Sequence, residues 1–78
     1  MATKNDLKDW VIEALVACGG SAHHIEVAKH IWAKHRADIE ASGDFFYTWQ
    51  YDMRWAGQTL QDQGRLLKKG PNRTWRIP

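Results

Sequence analysis

The chain has 78 residues, 44% hydrophobic and 12% aromatic, with five tryptophans and one cysteine. That length allows one domain, residues 1–78; the apolar fraction argues for a packed core over disorder; and a lone cysteine excludes an internal disulfide scaffold, so a reducing, cytoplasmic setting is expected. No apolar run can span a membrane, MATKNDLKD lacks the apolar stretch of a signal peptide, and so small a core leaves little room for a catalytic cleft, so no enzyme is expected.

The net charge is +2, from 11 Lys+Arg and 9 Asp+Glu, but it is unevenly placed. Residues 1–44 carry five basic and seven acidic side chains. Residues 45–63 carry Arg54 against Asp52 and Asp62. Residues 64–78 carry Arg65, Lys68, Lys69, Arg73 and Arg76 with no acid. A cationic end of this kind fits an anionic partner. A solvated tail is the plainer reading, and the apolar residues at strand spacing in the same segment weigh against it.

Leu7, Trp10, Val11, Ala14, Leu15 and Cys18 recur at i, i+3, i+4, i+7, the stripe of an amphipathic helix. Thr3 or Asn5 can cap its start, with Asp6 and Asp9 suited to the positive end of the helix dipole. Gly19-Gly20 ends it. Ser21-Ala22-His23 reads as a short extended link. A second helix follows, with Ile25, Ala28, Ile31, Trp32 and His35 as its inward stripe. Two ends are open: a break near Arg36, or a run to Ser42 that takes in Ile39 and stops at Gly43.

The third helix covers about residues 45–63. At roughly 100° per residue, Phe45, Trp49, Met53, Ala56 and Leu60 share an arc under about 90° wide, flanked by Phe46. The opposite arc holds Tyr47, Tyr51, Arg54, Gln58 and Gln61. Gly64 is its C-terminal stop. The period then changes. Residues 65–69 form a short strand, residues 70–73 carry the Gly-Pro and Asn signals of a turn, and residues 74–77 alternate polar and apolar. This basic-tipped hairpin must pack on the helices through Trp75 and Ile77, because an isolated hairpin is marginal in water.

Helix, short strand, helix, helix, hairpin is the plan of a winged helix-turn-helix: an α+β, mainly α fold with three helices and a small antiparallel sheet. The Ser21-Ala22-His23 stretch would be its third strand, and the C-terminal hairpin its wing. In that plan the third helix enters the major groove of double-stranded DNA. Thr48, Gln50, Tyr51, Arg54 and Gln58 are the groove candidates; Arg pairs guanine and Gln pairs adenine. Lys68, Lys69, Arg73 and Arg76 are candidates for phosphate, and Asn72 for a phosphate or a minor-groove edge. Asp52 and Asp62 resist this reading, since either would repel a phosphate that it faced.

Trp55-Ala56, Leu60, Gly64, Leu66, Arg73, Trp75 and Ile77, within Arg54 to Pro78, fill a pattern that resembles the end of the N-terminal winged-helix domain of Mrr-type restriction endonucleases. Arg65 intervenes between the glycine and Leu66, and Thr74 stands where that family often has a small residue. The resemblance covers about a third of the chain. It implies a winged helix that engages duplex DNA, modified DNA included, and it implies no cleavage, because the nuclease domain of that family has no counterpart in these residues. The Trp-Ala pair suggests that Trp55 packs rather than stacks on a base.

Other chemistry is weaker. His23, His24, His30 and His35 show no i, i+3 or i, i+4 pair, so no metal is expected. His23 and His24 fit a cap or staple at the start of the second helix, and His35 a helix end. Cys18, on the apolar stripe, reads as buried and structural. No nucleotide-binding or nucleophile motif is present, and no cofactor is expected.

The favoured function is a stand-alone DNA-binding module: a transcriptional regulator or part of a restriction or defence system. It would need a homodimer or a partner protein for useful specificity. Tyr47 and Tyr51, or Ile12 and Val16, could supply a dimer face. The alternative is a winged helix that binds protein and not DNA, favoured by the acidic first 44 residues and the near-neutral third helix. An RNA-binding version comes third.

Overall fold

The structure, a computed structural model, describes residues 3–69 and 74–77, Lys68 and Lys69 by their backbone alone. Helix α1 spans Asp6–Ala17 and buries Leu7, Val11, Ala14 and Leu15 along its apolar stripe. Its start differs from the expected cap. The Asn5 side chain makes no cap bond; instead the Asp6 carboxylate accepts the Thr3 N–H at 3.0 Å. Its end is a Schellman turn: Gly19 N–H donates to the Val16 carbonyl (3.1 Å) and Gly20 N–H to that of Leu15 (2.7 Å). Gly19 takes φ +82°, a left-handed conformation that strains a side chain. Cys18 is a correction. It is exposed, because it occupies the C-cap, where the helical period no longer holds.

Strand β1 is Ser21–His23 and leads directly into α2, His24–Glu40. His23 caps α2 through its ring: extended backbone lets Nδ1 accept the Ile25 N–H at 3.2 Å. The buried side chains of α2 are Val27, Ile31 and Ile39, with Ala28 and Trp32 packed beside them. Ile25 departs from the expected inward stripe and is 51% exposed. The helix breaks close to Arg36, as one reading expected, and then resumes, taking in Ile39 but stopping short of Ser42. It continues to Glu40 through a kink at His35, where φ is −124° and ψ 16°. His35 thus closes the first regular segment of α2, in keeping with its reading as a helix end. Its ring stacks on Trp10 of α1 at 4.0 Å, and its Nε2 lies 3.0 Å from Glu13 Oε2.

Residues 41–44 turn the chain. Ser42 is buried there and its hydroxyl donates to the Asp38 carbonyl. Helix α3, Phe45–Asp62, buries Trp49, Met53, Ala56, Gly57 and Leu60, following the predicted arc. It ends in a second Schellman turn, with Gly64 N–H on the Gln61 carbonyl (3.0 Å), Arg65 N–H on that of Leu60 (2.8 Å) and Gly64 at φ +75°.

Strands β2, Leu67–Lys69, and β3, Thr74–Arg76, are shorter than the sequence suggests. The three strands form one antiparallel sheet in the order β1-β3-β2. Arg76 stands between Ser21 and Leu67, Trp75 between Ala22 and Lys68, and Thr74 between His23 and Lys69. Trp75 is buried, with the far edge of its indole against α3 at Gly57. Ile77 is half-buried, and its N–H donates to the Gly20 carbonyl at 2.8 Å. One core cluster draws on all three helices, Leu66 and Trp75. The fold is thus mainly α, three helices with a small antiparallel sheet. Among the described residues no helix is long and apolar enough to cross a membrane.

Candidate functional site

The two faces of α3 are cleanly divided. Opposite its buried arc, Tyr47, Gln50, Tyr51, Arg54, Gln58 and Gln61 are exposed, the two tyrosines at 81% and 77%. The amphipathic sequence forces this: turning the polar arc inward would bury amides and a guanidinium that the core could not satisfy.

The groove candidates separate by their hydrogen bonding. Thr48 Oγ1 donates to Asp52 Oδ2 at 2.8 Å, and Gln58 Nε2 to Asp62 Oδ1 at 3.0 Å. Both donors are thus engaged by a carboxylate one turn further on, so contact with a base edge would have to replace a charge-assisted bond. The side chains of Gln50, Tyr51 and Arg54 make no hydrogen bond or ion pair among the described residues. They form the outward centre of the helix. Trp55 is half-buried against the core, with Lys4 Nζ 4.7 Å and Lys8 Nζ 5.9 Å from its ring centroid. It is a packing residue carrying two cations on its outer side.

The basic candidates are only partly placed. Arg76 is exposed on β3, the middle strand, next to the buried Trp75. The Lys68 and Lys69 backbones pair in β2 with Trp75 and Thr74. Asn72 and Arg73 lie outside the described residues. The link from sheet to helix is the Trp75–Gly57 contact, which fixes the strands against α3. Sequence patterning missed it, since a glycine inside a helix reads only as a weak spot; its legible signal was a glycine beside Ala56, two small residues in succession on the buried side.

A concavity adjoins the outward face. It lies between α2 and α3, is floored by aromatic and aliphatic side chains, and has Gln50 and Arg54 on its wall. The sequence reading placed Trp32 and Phe46 near the core and did not see that together they open a groove. Of the suggested dimer-face residues on α1, Val16 is 62% exposed and Ile12 half-buried. The histidines divide into the His23–His24 pair at the start of α2 and the His30 and His35 rings facing Glu13, at 3.9 and 3.0 Å.

Compared with known proteins, the chain matches no family profile, no curated sequence and no solved structure.

Proposed function

We propose that the chain is a winged-helix protein that binds double-stranded DNA. It sets α3 in the major groove and β2–β3 as a wing on the phosphate backbone, as the likeness of residues 54–78 to Mrr-type N-terminal domains implies. It would act in the cytoplasm, without catalysis of its own, as a transcriptional regulator or a restriction- or defence-associated module. The observation that carries this reading is the exposed strip Gln50–Tyr51–Arg54 on α3. It lies in the same domain as an antiparallel strand pair from a segment with five cations and no acid.

The division of labour follows from the chemistry. Arg54 bonded twice to guanine would contribute about 1–3 kcal/mol of discrimination. The basic segment supplies a sequence-independent, salt-sensitive grip. The carboxylates of Asp52 and Asp62 remain on α3, so the helix itself adds little to general affinity, and the wing must hold the duplex.

Gel shifts on randomised duplexes at low and moderate salt test the assignment. Lys69→Glu with Arg73→Glu should weaken binding to every sequence, whereas Arg54→Ala should change the selected site. Binding should fall with salt as expected for about three or four neutralised phosphates. No shift at low salt would end the DNA reading. Binding with a preference indifferent to Arg54 would remove α3 from the groove while leaving DNA binding in place.

A further inference from the structure

Between the first halves of α2 and α3 runs an open groove of about 520 Å³. Trp32 and Met53 lie along its floor, and its lips carry Ile25 and Phe46, which are 51% and 38% exposed. Lys29 and Arg54 stand on opposite walls, and no Asp or Glu lines it. That is unusual for this protein, whose first 44 residues hold seven acids.

We propose that this groove docks an acidic amphipathic helix of a partner protein. The ridge of apolar side chains at i, i+3, i+4 and i+7 would sit between α2 and α3, with flanking carboxylates over Lys29 and Arg54. Charge selects this occupant. Apolar lips between two cationic walls fit a ligand that is apolar along one stripe and anionic beside it. Lys29 does pair with Glu26 at 3.5 Å, but both side chains are well exposed, and a solvated pair of this kind exchanges readily for another carboxylate.

A nucleobase fits less well. The Trp32 ring already has Trp49 stacked at 5.8 Å, Phe46 tilted at 6.2 Å and the Arg36 guanidinium at 5.2 Å, so a base would have to displace one of them to stack. Side chains entering from a helix need only the open space between the lips. The proposal does not depend on DNA binding. Where both hold, Arg54 belongs to both surfaces, and partner and duplex exclude each other.

The test uses the full chain and a displayed library of random helix-stabilised peptides. Selected peptides should carry Leu, Ile or Phe at helical spacing with Asp or Glu beside them. Binding of the best synthetic peptide, read by fluorescence anisotropy, should fall at least tenfold with Ile25→Asp and with Lys29→Glu. It should hold with Lys34→Glu, which makes the same charge change on α2 away from the groove. In the wild-type chain, amide NMR shifts on peptide addition should centre on Ala28, Lys29, Phe46 and Gln50, a readout that needs no variant to fold. Basic or uncharged selected peptides, indifference to both groove substitutions, or shifts centred elsewhere would each overturn the proposal. So would self-association abolished by Ile25→Asp, which would make a second copy the occupant. A duplex gel shift run in parallel reports on the DNA reading separately.

Discussion

Replacing Gly57 by alanine sets two effects of known size against each other. Alanine is the better helix former by about 0.8–1 kcal/mol, so in an open helix interior the change would stabilise. Here the added Cβ would lie 2.8, 3.0 and 3.1 Å from three ring carbons of Trp75. Carbon pairs are at ease near 3.5–4.0 Å, so the indole must withdraw by roughly 0.5–1 Å. It has little room, being only 4% exposed. Overpacking of this kind costs about 1–3 kcal/mol. The clash should win, leaving Gly57→Ala less stable by about 1 kcal/mol and lowering Tm by about 4–8 °C for a domain of this size. Urea unfolding followed by circular dichroism measures it. The decisive comparison is the same change with Trp75→Phe already in place. Phenylalanine lacks the outer ring edge that meets Gly57, so there the alanine should be neutral or stabilising by up to about 1 kcal/mol. Equal effects in the two backgrounds, or stabilisation of the otherwise wild-type chain, would refute the contact as the reason for the glycine.

Other substitutions test the helix ends and the α1–α2 seam. Gly64→Ala meets no atom within 4 Å yet must adopt φ +75°, so thermal melts should show a loss of about 1–2 kcal/mol from backbone strain alone. Glu13→Gln and His35→Ala, combined in a double-mutant cycle by denaturant unfolding, should couple by about 0.5 kcal/mol, because Glu13 is 48% exposed and water screens the bond. A coupling above about 2 kcal/mol would mean that the pair is far better shielded than this exposure allows.

Helix α3 was legible because its buried and exposed arcs are each nearly pure: Trp49, Met53, Ala56 and Leu60 are inside, and Tyr47, Tyr51, Arg54 and Gln58 outside. The strand character of residues 21–23 and 74–76 was legible for a different reason, the glycines and turn residues that interrupt the helical period. Periodicity failed where it was carried past the end of an element. Cys18 belongs to the stripe of α1 only if the helix continues, and the helix stops at Ala17. Ile25 sits in the first turn of α2, where the direction of the side chain depends on how β1 delivers the chain. His35 was legible as an inward, helix-end residue, but its contacts were not. Its partners Trp10 and Glu13 come from α1, and such pairings exist only once the helices have met. The α2–α3 groove has the same origin, since neither helix is concave by itself.

The middle strand of the sheet, β3, comes after the other five elements in sequence. Arg76 pairs with Ser21, fifty-five positions earlier, and both outer strands hydrogen-bond to β3 and not to each other. Without β3, β1 would have no strand neighbour and nothing would fill the space that Trp75 takes beside Gly57. Closure of so distant a pairing is a late and slow event. The domain therefore acquires its final shape only when β3 takes its place between two strands far from each other in sequence, and loss of β3 would leave both outer strands without a neighbour.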